Sequence, residues 1–184
     1  MGDVTQLIAR AREGDRAAFD RLFELLYPEL RRIAHARLGR NVRDALIDTT
    51  ALVHECYLKF SQAERLTPAD RVHFLSYAAT VMRSIVVDAA RSALAQRRGG
   101  DAEHVTLGTD VAEAAPAPEH EILDVHAALE EIAKLDARLV RVVEMRYFGG
   151  MKDDDIAQAL GLTDRTVRRD WEKARLLLSK ALRG

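Results

Sequence analysis

Lys152-Asp153-Asp154-Asp155-Ile156-Ala157-Gln158-Ala159-Leu160-Gly161-Leu162-Thr163-Asp164-Arg165-Thr166-Val167-Arg168-Arg169-Asp170-Trp171-Glu172-Lys173-Ala174-Arg175 reads as helix, tight glycine turn, helix. The acids at 153–155 suit the positive end of a helix dipole. Ile156 and Leu160 face inward, Gly161 permits the turn, Leu162 fills the corner and Thr163 caps the second helix. Val167, Trp171, Ala174 and Leu178 recur at helical spacing as that helix's inner stripe. In a helix-turn-helix the second helix lies in the major groove and offers its N-terminal side chains to base edges. The positions pointing away from the stripe are Arg165, Thr166, Arg168, Arg169 and Lys173. Arginine can fork onto guanine O6 and N7, and either cation can hold phosphate. These five are the candidate duplex-DNA contacts.

Upstream of this unit, Ile122, Val125, Ala128, Leu129 and Ile132 form one helix face, and Asp136 begins another helix through Leu139, Val142 and Met145 to Gly149-Gly150. Before them, residues 99–121 have no periodicity. They hold a Gly pair, Pro116, Pro118, several alanines and no Lys or Arg, so a flexible or extended acidic linker is expected.

The N-terminal part is helical again. Val4, Leu7, Ile8 and Ala11 make one stripe, and Gly14-Asp15 breaks it. Asp15 caps a second run with Phe19, Leu22, Phe23 and Leu26 inside. Pro28 either starts a continuation or kinks the helix, and Gly39 is the expected stop. Asp48 to Phe60 is a further helix, with Leu52, Val53, Cys56, Tyr57 and Phe60 inward and Asp48, Glu55 and Lys59 outward. Thr67 and Pro68 are expected to open the next helix, which runs to the sequence Arg97-Arg98-Gly99-Gly100. That stretch mixes Phe74 and Tyr77 with Arg83, Arg91, Arg97 and Arg98. Aromatic faces beside a basic track can hold single-stranded DNA, and a core helix with a charged back has the same pattern.

The formal net charge of −1 conceals segregation. Residues 1–98 carry net +4, residues 99–122 net −6, and residues 165–184 net +5. Two basic modules joined by an acidic strap suit contact with a polyanion at two places. The fold class expected is all-α, in two small domains at 1–98 and 122–184.

Several function classes find no support. Cys56 is the only cysteine, so no internal disulfide or cysteine metal site is expected, which fits a reducing cytoplasm. His35, His54, His73, His104, His120 and His126 give no metal spacing, and His120 with Asp124 reads as a helix-start pair. No phosphate loop, nucleophile elbow or catalytic carboxylate pair occurs, so no catalytic residue, cofactor or small-molecule substrate is expected. The first residues show no basic run followed by an apolar core, and no apolar run reaches the roughly 18 residues of a membrane span.

Three pieces taken together resemble a family. They are Leu52-Val53-His54-Glu55-Cys56-Tyr57-Leu58-Lys59-Phe60, the run Phe74 to Arg91 with its Asp88-x-x-Arg91, and Thr166-Val167-Arg168-Arg169-Asp170-Trp171. With the Arg97-Arg98-Gly99-Gly100 exit, they look like a bacterial extracytoplasmic-function (ECF) sigma factor. The resemblance implies that domain 2, residues 1–98, docks the β′ clamp helices of core RNA polymerase and melts a −10-type element. Domain 4, residues 122–184, would read a −35-type element. The clamp-docking helix maps to 48–60, with Asp48, Thr49, Thr50, Glu55 and Lys59 as its polymerase-binding candidates. The base-holding surface maps to Phe74, Tyr77, Arg83, Ser84, Asp88 and Arg91.

Two departures stand out. Many members carry Asn where this chain has Ser84, and they open the clamp helix with a cluster of acids where this chain has Asp48-Thr49-Thr50-Ala51. A phosphothreonine would restore about −1.5 to −2 charges there. Two readings follow: a switch operated by a Ser/Thr kinase at Thr50, or else Thr49, and a threonine that simply caps the helix while other contacts suffice for docking. The alternative function is a dimeric helix-turn-helix regulator that acts on duplex DNA without polymerase.

Overall fold

A computed structural model describes residues 2–38, 46–63, 67–99 and 118–183. These residues form helices and turns, with no strand among them. The predicted stop at Gly39 and most of the predicted linker lie outside the described residues.

Helix α1 spans Gly2–Arg12 and α2 spans Arg16–Arg37. The predicted break at Gly14 is present: Gly14 takes φ +94°, and Asp15 accepts the Ala18 N–H at 3.0 Å as the N-cap of α2. Pro28 sits inside α2, which continues through it. Proline there removes one backbone donor. Helix α3 is Thr49–Gln62, capped by Asp48.

Helix α4 runs Arg71–Gly99. Its start corrects the sequence reading. Thr67 and Pro68 lie before the helix, and Asp70 does the capping by accepting the His73 N–H at 2.9 Å. Asp is as good a cap as Thr, and it stands nearer the first apolar turn of the helix.

Helix α5, Pro118–Val143, starts before Ile122, so the linker ends earlier than its composition suggests. The cause is local: Pro118, Glu119 and Glu121 form a favourable first turn, with Pro early and acids at the positive end. The predicted break at Asp136 is there. Its backbone is extended, at φ −158° and ψ 95°, and its carboxylate accepts the Arg138 N–H at 3.1 Å.

A π-helical turn, Glu144–Phe148, leads to α6, Asp153–Leu160, and α7, Asp164–Ala181. The predicted turn at Gly161 takes φ +65°, a left-handed conformation open to glycine at no steric cost.

One apolar core runs from α1–α4 into the C-terminal helices. Ile8, Leu22, Leu30, Val53, Phe74 and Met82 share it with Val142, Met145, Ile156 and Val167. A second, smaller core of Leu129, Ile132, Leu139, Val140, Val143 and Ala174 lies between α5 and α7. Gly149 sits at the seam. A Cβ added to it would stand 2.6 Å from the Met145 carbonyl oxygen and 3.2 Å from the Ala79 side chain on α4. Absence of a side chain is therefore what lets this turn approach α4 so closely.

Candidate nucleic-acid interface

The helix-turn-helix forms as read. Thr163 Oγ1 accepts the Thr166 N–H at 3.3 Å and lies 3.0 Å from the Thr166 hydroxyl. Val167 and Ala174 are fully buried, while Trp171 and Leu178 are half-buried. The Arg146 guanidinium lies 5.0 Å from the centre of the Trp171 ring and pairs with Asp153, tying the π-turn to both helices of the unit. Asp170, 2% exposed, pairs with Arg138 Nε at 2.7 Å and anchors α7 to α5.

With those contacts fixed, Arg165, Arg168, Arg169 and Lys173 are exposed, and Thr166 is half-buried. Four of the five predicted duplex contacts thus stand in solvent along the first turns of α7. The fifth, Thr166, has its backbone N–H committed to the cap. This row of cations can meet phosphate and base edges without rearranging the unit.

The α4 candidates separate into different environments. Phe74, expected on a base-holding surface, is 0% exposed and stacks on Phe60 at 5.0 Å. It is a core residue here. At its position on α4 the inward stripe and the expected DNA side compete, and packing against α3 takes it. Tyr77 is half-buried, edge-on to Phe60 at 4.8 Å.

Ser84 and Asp88 both meet Lys59, which crosses from α3: Nζ stands 3.0 Å from Ser84 Oγ and 3.1 Å from Asp88 Oδ2. Lys59, expected to face polymerase, is thus turned toward α4. Arg91 remains exposed, with one guanidinium nitrogen 3.2 Å from His126 Nε2.

Arg83 is buried, and its side chain pairs with Glu144 at 2.7 Å and Glu130 at 3.1 Å. Both partners come from the C-terminal half. The sequence gives no signal for them: Glu144 lies 61 positions away and belongs to no local motif. Burial, with the Arg83 guanidinium beside it, pushes the His126 imidazole below its ordinary 6.5.

At the start of α3 the two threonines differ. Thr49 is 8% exposed, its hydroxyl 3.5 Å from His35 Nδ1. Thr50 is exposed. Asp48 Oδ1 accepts the N–H groups of Thr50 and Ala51 at 2.7 and 2.9 Å, so the carboxylate occupies two of the free donors of the first turn. Glu55 is exposed, and so is Leu58 at 44%. Leu58 was not singled out by the sequence reading, because an apolar residue in an apolar helix gives no sign of facing outward.

Cys56 is fully buried, and burial pushes its thiol up to about 12. No group of three or more metal-ligating side chains occurs among the described residues, and none of the described helices is long and apolar enough to cross a membrane.

A capped helix-turn-helix with an exposed cationic row, carried on an all-helical frame, defines a DNA-binding protein of the transcription class. The match to known families is more specific. A family described as ECF sigma factor matches residues 1–184, the full length of the sequence, and the chain belongs to that family. Comparison with individually curated proteins gave no match. ECF sigma factors work with core RNA polymerase and promoter DNA to direct transcription initiation.

Proposed function

We propose that this chain is an alternative sigma factor whose two halves divide the work. Residues 1–98 engage core polymerase and open the −10-type element. Residues 122–184 read the −35-type element, and residues 99–121 join them. The observation that carries the reading is the exposed row Arg165, Arg168, Arg169 and Lys173 on a capped helix-turn-helix, in a chain matched from end to end by the family. The factor has no chemistry of its own; it positions the polymerase, in the cytoplasm.

In this reading α3 docks on the β′ clamp helices through Asp48, Thr50 and Glu55. The family resemblance leads us to expect a cluster of acids at its start, where this chain has one acid and two threonines. A phosphate on Thr50 adds about −1.5 to −2 charges at a helix N-terminus, where the dipole favours anions. Thr50 is the better kinase target, since its side chain is exposed while Thr49 is buried against His35. The switch is therefore a Ser/Thr kinase acting at Thr50.

Transcription of a library of host genomic fragments by core polymerase, with and without the chain, tests the first claim. New start sites sharing upstream elements are expected. Binding to duplex DNA as a dimer with no added initiation would instead identify a conventional regulator. Polymerase binding by unmodified chain, kinase-treated chain, Thr50→Ala and Thr50→Glu tests the second. The kinase-treated chain is expected to bind tightest and Thr50→Ala to stay weak after the same treatment; equal affinity for all four eliminates the switch.

A further inference from the structure

The shared core is incompletely filled at one place. Among the described residues a cavity of about 440 Å³ lies where α3, α4, α5 and α7 meet. Leu52, Met82, Val86, Val125, Leu129 and Trp171 give it walls from all four helices. Protein interiors hold few voids larger than a water molecule, so a space of this size is more than a packing fault. Apolar walls leave such a space dry and open to apolar molecules. The volume lies in the range of small-molecule sites, roughly 300–1,000 Å³, which are also mostly apolar with a few convergent polar groups.

Arg83, Glu121 and His126 bring charge or a titratable ring to the wall. Arg83 is already engaged by Glu130 and Glu144. His126 is not matched in the same way. Its Nδ1 lies 2.9 Å from Arg83 Nη2, and its Nε2 lies 3.2 Å from Arg91 Nη2. A neutral imidazole has one lone pair and one N–H. In either tautomer, one of the two contacts therefore sets a donor against a donor. With Nδ1 accepting at the shorter contact, the Nε2–H and the Arg91 guanidinium converge with no lone pair between them. Arg91 is exposed, and the nearest Asp88 oxygen stands 3.7 Å from its Nη1, so its guanidinium keeps capacity for an anion.

We propose that the cavity is a binding site for a small amphiphilic carboxylate, with its chain among Met82, Val86 and Leu129 and its carboxylate between His126 and Arg91. One carboxylate accepts from both donors and removes the mismatch, through charge-assisted bonds of the stronger kind. Each methylene drawn from water into the cavity adds favourable burial. Glu121 is exposed, so solvent and salt screen its repulsion of the ligand's charge. Trp171 and Leu178 of α7 form part of the wall, so an occupant touches the helix that carries the cationic row. The site stands independently of the promoter contacts proposed above, although Arg91 serves in both.

Trp171 is the only tryptophan of the chain, so its emission reports on the cavity directly. The full chain is titrated with decanoate below its micellar concentration, and in parallel with 1-decanol and decylamine. Decanoate is expected to give a saturable shift of Trp171 emission and a raised Tm. It should bind about tenfold tighter than decanol, from the charge-assisted hydrogen bonds at its head. Arg91→Gln is expected to abolish that preference and to leave decanol binding unchanged. Val125→Phe, which fills the cavity, is expected to keep native helicity and to bind none of the three. Ile122→Phe, a second filling variant, decides the point if Val125→Phe does not fold.

Absence of a saturable shift overturns the site. So does undiminished binding by a natively folded filling variant, which would place the probe elsewhere on the chain. Decanol or decylamine binding as tightly as decanoate, or a preference for decanoate retained in Arg91→Gln, overturns the carboxylate assignment.

Discussion

Helices α4 and α7 are both arginine-bearing helices with an apolar inner stripe, and they differ in what becomes of the arginine at their centre. On α7, Arg165, Arg168 and Lys173 are exposed, while one of its three acids, Asp170, is buried and paired with Arg138. On α4 the mid-helix Arg83 is buried among carboxylates, while Arg71, Arg91 and Arg97 are exposed and the acid Asp88 is exposed beside Lys59. A basic helix is thus not by itself a DNA-binding surface. What matters is whether the fold has already supplied the anion.

The contrast can be broken most forcefully at Phe74. If it is core, as its zero exposure indicates, Phe74→Ala should cost about 3–5 kcal/mol in chemical denaturation, from lost burial plus the cavity left behind. Phe74→Leu should fold and initiate nearly normally. A Phe74→Leu chain of native stability that had lost strand opening would return this ring to the DNA surface.

Arg83 and Arg168 give the direct comparison. Arg83→Ala leaves Glu144 buried without its cation, and should destabilise by about 3–5 kcal/mol. Arg168→Ala should change stability by less than about 0.5 kcal/mol, since its side chain is exposed. Its effect should appear in duplex binding, as a loss of about 1–3 kcal/mol if it reads a base, or a salt slope reduced by about 1 if it holds phosphate. Similar stability losses for the two variants would erase the distinction between the helices.

Thr163→Ala removes the cap that sets the first turn of α7, and should cost about 1 kcal/mol while weakening duplex binding. The smallest effect expected is a pH dependence of stability through His126. His126 faces Arg83, Asp88 and Arg91 from α4 and Glu130 from its own helix, and burial, then the Arg83 guanidinium, hold its pKa below 6.5 in the folded chain. The unfolded chain therefore takes up this proton more readily. The stability that His126 contributes is fully present above about pH 6.5 and is lost as the pH falls below it. Stability in chemical denaturation should decline over that range and be flatter in His126→Gln. An identical decline in both chains would assign the effect to other groups.

Local signals were legible in the sequence, and contacts between distant segments were not. Asp15, Asp48 and Thr163 were each recognisable as caps because a cap acts on backbone two or three residues away. Gly161 was legible for the same reason. Thr67 with Pro68 imitated a helix start, and Asp70 took the role because it lies closer to the apolar turn of α4. Phe74 and Arg83 were placed on a shared DNA face by resemblance, while their surroundings are fixed by Phe60 on one side and Glu144 on the other. Residue spacing along one helix cannot reveal which distant segment packs over it. The exposure of Thr50 and burial of Thr49 were likewise beyond the sequence, since adjacent residues of a first turn are told apart only by what stands opposite, here His35.

The π-helical turn Glu144–Phe148 closes with the Gly149 N–H on the Glu144 carbonyl at 3.0 Å, a bond that spans one residue more than an α-helical one. Chain length is therefore a control element at this point. Deleting a single residue after Glu144 would convert the bulge to ordinary helix. The chain leaving the turn would then be rotated by about 100° relative to α5, one residue's share of a helical turn, against the Asp170–Arg138 pair and the shared core that hold α7 on α5. The sequence of α7 would be intact, yet its packing on α5 and its lead-in from α6 could no longer both be satisfied. In this protein the placement of the cationic row is set by counting residues as much as by choosing them.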